Sequence, residues 1–195
     1  QEHAVTVGGE RRVLAEPFVV LATQNPIEME GTYPLPEAQL DRFLLKLVVG
    51  FPSFDELIRI GVETTASASG IADIRPVLDR DGVLALQALV REVVVSPQIA
   101  RFAGRLVMAT HPDTPDAPER IRRFVRYGAS PRALQALLLA GRAHALLAGR
   151  PFVSPEDVRA IARSVLRHRI VPGFDAELEG VEPDALVDAV LESVT

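Results

Sequence analysis

Three polar clusters in this 195-residue chain combine side chains suited to handling an anion. The first is Ala22-Thr-Gln-Asn-Pro26, at the C-terminal end of the apolar run Phe18-Val-Val-Leu-Ala-Thr23. In open parallel sheets ligands bind beyond the carboxyl ends of the strands, so the Asn25 amide there could orient a water or a phosphate oxygen. Asn25-Pro26 also reads as a plain turn initiator. The second cluster is Leu40-Asp41-Arg42-Phe43. A guanidinium fixed by packing on both sides can be presented across a subunit interface to stabilise phosphoryl charge. The alternative is an intrachain pair of Arg42 with Asp41 or Glu37. The third is Gly128-Ala-Ser-Pro-Arg-Ala133. Ser130 as cap and Pro131 at the first helical position put Arg132 in the first turn, where the helix dipole already favours an anion. A cation there points to a balancing anionic ligand, unless solvent simply tolerates it.

Other chemistries are poorly served. The chain has no cysteine, which excludes disulfides, thiolate zinc sites, iron–sulfur clusters and cysteine nucleophiles. His3, His111, His144 and His168 are not spaced as a metal pair, and no serine lies in a Gly-x-Ser-x-Gly elbow. The one lysine, Lys46, has no glycine-rich loop before it, so a phosphate-binding P-loop is absent.

The elements that must position these clusters fall into two kinds. Ala4–Val7, Gly8-Gly9 and Arg11–Leu14 form a hairpin signature, because two glycines supply the positive φ of a tight turn. Residues 18–23 read as a strand buried on both faces, 36–42 as a short helix with proline in its first turn, and 43–49 as a return to strand. From Pro52 onward the apolar period becomes 3.6. Ser53 caps a helix to about Glu63, Thr64–Gly70 is a small-residue linker, and Asp81 opens a second helix. Ser96-Pro97, Ser130-Pro131 and Ser154-Pro155 then start helices over 97–110, 131–148 and 155–168, and a last helix covers 183–193. This predicts a strand-rich α/β piece, 1–52, followed by an all-helical domain of five or six helices, 53–195. The first piece is too small for a whole sheet domain, and Gln1 lies in a segment with interior character, so the expectation is part of a longer protein.

Hydrophobic residues make up 48% and charged residues 24%, the composition of a soluble globular protein, with no apolar run long enough to span a membrane. Cytoplasm is the default compartment. Charge is uneven along the chain: residues 119–169 carry a net +8 and residues 170–195 a net −7. The basic stretch is either paired with the acidic tail inside one fold or offers an arginine-rich binding surface for nucleic acid or an acidic protein. An acidic overall balance, no aromatic interleaving and no recognition helix argue against nucleic acid.

Taken in order, Phe18 through Phe43, the later Gly-Ala-Ser-Pro-Arg-Ala run, the Val-Thr-Val-Gly-Gly hairpin and Leu166-Arg-His-Arg-Ile170 resemble the MoxR branch of the AAA+ ATPases. The resemblance implies a mainly α fold with an α/β remnant: the C-terminal half of an AAA+ nucleotide-binding core, then a helical lid. It implies that Asn25 is the sensor 1 residue orienting the attacking water. Arg42 would be the arginine finger reaching the neighbouring subunit's nucleotide, and Arg132 the sensor 2 arginine of the lid. It further implies ATP and Mg2+ as cofactors, a hexameric ring, and chaperone-like remodelling or maturation of client enzymes, often with a partner bearing a von Willebrand A domain. The family's Walker A and Walker B motifs are absent from this chain, so by itself it is expected not to hydrolyse ATP.

Overall fold

The computed structural model describes residues 4–24, 35–65 and 75–194. In chain order the elements are strands β1 (Ala4–Val7) and β2 (Glu10–Val13), then helices α1 (Glu37–Leu40), α2 (Phe54–Thr65), α3 (Arg80–Glu92), α4 (Pro97–Ala109) and α5 (Glu119–Phe124). There follow β3 (Val125–Tyr127), α6 (Pro131–Leu147), α7 (Pro155–Leu166), β4 (Val171–Pro172), α8 (Phe174–Glu179) and α9 (Pro183–Ser193). The chain divides into two compact units, Gln1–Phe18 with Leu47–Leu86, and Val19–Lys46 with Gln87–Thr195.

In the first unit the expected hairpin is present. β1 and β2 pair antiparallel with Val7 opposite Glu10, and Gly8 and Gly9 hold φ of 60° and 83°, which a two-residue turn demands. Ser53 caps α2 reciprocally: the Glu56 amide donates to Ser53 Oγ at 3.4 Å, and the Ser53 amide donates to Glu56 Oε2 at 2.8 Å. The capping acid of the next helix lies two residues earlier than expected, because Asp79, not Asp81, accepts the Gly82 amide at 2.8 Å. Arg80 Nε donates to the Glu16 carbonyl at 2.6 Å and ties this helix start to the segment after the hairpin.

The second unit holds the core. Phe102 and Leu106 of α4, Ala133, Ala136, Leu137 and Ala140 of α6, Val158, Ala162 and Val165 of α7, and Leu186, Val187 and Val190 of α9 are all buried. These positions recur every three or four residues, so each helix turns one apolar stripe inward. The α6 stripe is largely alanine, and at Gly141 an added Cβ would already touch Val153 Cγ1 at 3.4 Å. Small residues therefore let α6 approach its neighbours closely. The three Ser-Pro starts are caps as expected: Ser96, Ser130 and Ser154 each accept a backbone amide, with proline in the first turn.

Several expectations are corrected. The described residues give no ladder partner to 18–23, whose side chains stand mostly exposed, and 43–49 is irregular. A strand buried on both faces draws its burial and hydrogen bonds from flanking strands, and the described residues supply none here. The region after residue 53 is not purely helical either. β3 pairs antiparallel with β4, placing Val125 opposite Pro172, and Val94 bridges Phe152. It holds eight helices among the described residues, since α5 and α8, six residues each, were not expected. Most of the expected 64–70 linker lies outside the described residues.

Candidate functional site

The start of α6 is built by close packing rather than by its cap alone. At Gly128 an added Cβ would fall 2.6 Å from the His111 ring, so only glycine lets this loop pass. Buried Ala129 donates its amide to Thr110 Oγ1 at 2.9 Å, and its carbonyl lies 3.0 Å from His111 Nε2. Thr110 and His111, just beyond the last turn of α4, thus fix the two residues before the cap. Ser130 Oγ then accepts the Arg132 amide at 3.2 Å, which sets Arg132 in the first turn.

The Ser130 hydroxyl and the Arg132 guanidinium converge on one carboxylate, Asp41, at the C-terminal end of α1. Ser130 Oγ lies 2.8 Å from both Asp41 carboxylate oxygens, and Arg132 Nη1 donates to Oδ2 at 3.0 Å. From the other side Arg169 Nε donates to Oδ1 at 3.2 Å. Arg169 is 5% exposed and spends its remaining donors on backbone: the carbonyls of Asp41 at 3.2 Å, Phe43 at 2.6 Å, Leu44 at 3.2 Å, and Val165 in α7. His168 Nε2 also reaches the Phe43 carbonyl, at 3.1 Å, and the Lys46 amide donates to the Ser164 carbonyl at 2.8 Å. Residues 41–46 are therefore clamped to the end of α7, and Asp41 links that clamp to α6.

Burial alone would push the Asp41 carboxyl up. The Ser130 hydroxyl, Arg132 and Arg169 outweigh it and hold the group below its usual range, so it is an anion at neutral pH. Burial pulls the Arg169 guanidinium down from its ordinary value, partly offset by Asp41. It remains a cation at any physiological pH.

The sequence-derived site residues fare differently. Arg132 is where it was expected, half exposed with 42% of its side chain accessible, but the anion balancing it is Asp41 of the same chain. Arg42 is exposed, and its side chain makes no hydrogen bond or ion pair among the described residues, so the intrachain pair with Asp41 or Glu37 is not formed. Asn25 lies outside the described residues. Asp41 and Arg169 were missed as functional residues. Asp41 was visible only as a neighbour of Arg42, and Arg169 only as part of an arginine-rich stretch; nothing in either local pattern indicates a partner more than a hundred residues away.

The basic stretch is largely engaged within the fold. Arg123 pairs with Glu179, Arg163 with Asp188 at 2.7 Å and Arg167 with Asp184 at 2.9 Å, three ion pairs to the acidic tail. Arg159 donates to the carbonyls of Leu191 and Val194 at 2.8 and 2.7 Å. As for cofactors, Arg132 fits a phosphate contact because its fork is half open to solvent and already binds an anion. No group of three or more His, Asp or Glu side chains among the described residues could hold a metal ion, so these residues do not fit a magnesium site. None of the described helices is long and apolar enough to cross a membrane.

Comparison with known proteins identifies relatives along the whole chain. Residues 1–45 match the family described as ATPase family associated with various cellular activities (AAA), and residues 117–190 match the AAA lid domain. The chain is similar to the chaperone MoxR1 of Mycobacterium tuberculosis, 38% identical over 198 residues that cover 100% of this chain and 51% of that protein. It is also similar to protein YeaC of Bacillus subtilis, 39% identical over 100% of this chain and 58% of that one, and to protein MoxR of Paracoccus denitrificans, 33% identical over 90% and 55%. The crystal structure of a candidate ATPase from Cytophaga hutchinsonii superposes with a TM-score of 0.90 at 32% identity, over 100% of this chain and 58% of that one. The chain thus spans between half and three-fifths of the length of these relatives. With both family segments in order and relatives matched along its whole length, the chain belongs to the MoxR family of AAA+ ATPases.

Proposed function

We propose that this chain supplies the sensor, arginine-finger and lid residues of a magnesium-dependent ATPase that works as a hexameric ring in the cytoplasm and remodels or matures client enzymes. Residues 1–52 are read as the C-terminal part of the nucleotide-binding core and residues 53–195 as the lid. A partner bearing a von Willebrand A domain is expected from the family. The observation that carries the reading is the contrast between two arginines. Arg132 sits at the start of α6 holding an anion, and Arg42 is exposed with its side chain uncommitted among the described residues, although its backbone turn is tightly held.

In this reading Arg132 contacts the phosphates of its own subunit's nucleotide and Arg42 those of a neighbour's, while Asn25 orients the attacking water. Arg42 is permanently charged and planar, so it can match a phosphoryl oxygen pair without a proton being moved. Loss of the γ-phosphate removes an interaction that both arginines make in one state only, and that differential is what can drive a lid movement. The 195-residue chain alone is expected to release no phosphate from ATP.

The reading is tested in the full-length protein. Arg42→Ala should lower ATP turnover roughly a thousandfold, the scale of a lost arginine finger, with nucleotide affinity nearly unchanged. Normal turnover by that variant, measured as phosphate release, would overturn the assignment.

A further inference from the structure

Asp41 occupies a position that the roles of Arg42 and Arg132 do not by themselves explain. Its carboxylate is 15% exposed and is shared by two guanidinium groups, Arg132 on Oδ2 at 3.0 Å and Arg169 on Oδ1 at 3.2 Å. Arg169 at the same time grips the carbonyls of Asp41 and Phe43, the residues on either side of Arg42. The backbone that aims Arg42 is therefore held by a cation whose counter-charge is Asp41. The same carboxylate is the anion that Arg132 holds in this structure, and it also takes the Ser130 hydroxyl at the start of α6.

From this geometry we propose that Asp41 is a positioning residue that couples the lid arginine to the turn presenting Arg42. The proposal rests on the functional reading above and deepens it. A phosphate group drawing Arg132 away competes for the same cation as the Asp41 carboxylate. Asp41 is then left with Arg169 and the Ser130 hydroxyl, one of its two cationic partners gone. Occupancy of a subunit's own site is in this way passed to the turn that serves its neighbour, through side chains already in contact. Phosphate binding is opposed by the Asp41 pair, and that pair in turn keeps the Arg42 turn in place.

The coupling separates two quantities that a merely structural residue would not. Asp41→Asn keeps the shape but removes the charge. In the full-length, assembled protein its apparent KM for ATP should fall about fivefold, because Arg132 no longer has a competing anion. Its kcat should fall roughly tenfold, because Arg169 loses the counter-charge with which it fixes the Arg42 turn. Asp41→Glu restores the charge and should bring KM back to within about twofold of the parent protein while leaving kcat partly reduced. If Asp41→Asn does not fold, the KM of Asp41→Glu is compared instead with that of Arg132→Ala. A KM near the parent value supports the coupling, and one matching Arg132→Ala overturns it. Unchanged KM and kcat in Asp41→Asn, or a raised KM alongside a lowered kcat, would overturn it as well. Arg42→Ala in the same assay keeps the two claims apart: an active Arg42→Ala defeats the functional reading, whereas an inactive Arg42→Ala with a neutral Asp41→Asn defeats only this coupling.

Discussion

His168 shows how burial sets a titration that the side chain's type alone would misplace. Its Nε2 faces the Phe43 carbonyl and its Nδ1 is buried without a hydrogen-bond partner among the described residues. Burial above all brings its pKa from 6.5 down to about 4; the Phe43 carbonyl opposes it, the nearby charges of Arg169 and Lys46 add to it, and Asp41 opposes weakly. A folded pKa below the unfolded one means that the unfolded chain binds the proton more readily. The stability contribution is complete above pH 6.5 and declines as pH falls toward 4. The expected loss across that window is on the order of 2–3 kcal/mol, measured by urea unfolding at successive pH values, and His168→Leu should flatten it. Asp157 acts lower on the scale. Its side chain is fully buried, and the Arg150 guanidinium above all, with the Ser154 amide and His144, holds its carboxyl far below the usual carboxylate value of 3.8. Its stabilisation is present above that value and is lost only in stronger acid. Asp157→Ala should cost about 3–5 kcal/mol at pH 7, because it strands a guanidinium and breaks the capping box, and equilibrium unfolding would report it. Both groups were legible as residues and illegible as titrating groups, since their environments are assembled from α6, α7 and the segment after α1.

At the scale of elements, the helix starts were the clearest signal because their chemistry is local. A serine followed by proline satisfies one free amide and occupies a position that needs none, whatever the rest of the fold does. Ser96→Ala should therefore cost about 1 kcal/mol in thermal or chemical denaturation, the scale of a single lost cap. Gly128→Ala tests a different cause. The added methyl would strike the His111 ring rather than strain the backbone, so a loss of about 1–3 kcal/mol is expected, and shortening the ring by His111→Ala should recover part of it. The elements that escaped sequence reading are α5, α8 and the β3–β4 pair. Six residues are too few for a period of 3.6 to declare itself, and the partner of Val125 is Pro172, beyond the reach of any local pattern.

On the scale of the whole chain, apolar burial is unequal. Every buried apolar core residue among those described lies between Val93 and Val194, while α2 has no buried residue although Leu57, Ile58 and Val62 form one face. A helix without packed neighbours is marginal at twelve residues, because its stability comes chiefly from burying its apolar stripe. In the 195-residue chain, amides of α2 should therefore exchange with deuterium at least tenfold faster than those of α4, α6 and α7, as read by mass spectrometry of peptides. Equal protection across these helices would contradict that expectation.

What the amino-acid order determined by itself was local or periodic: the hairpin at Gly8-Gly9, the serine caps, the apolar stripes of the long helices, and the placing of Arg132 in a first turn. Each depends on residues within one or two turns of one another, so a linear reading contains the whole cause. Tertiary structure decided the rest. It brought Asp41 to Arg132 and Arg169, 91 and 128 residues further along the chain, and left Arg42, the residue next to Asp41, without such a partner among the described residues. A carboxylate can answer any of the chain's many arginines, and only the packing of α6 against α7, with residues 41–46 clamped to the end of α7, selects these two.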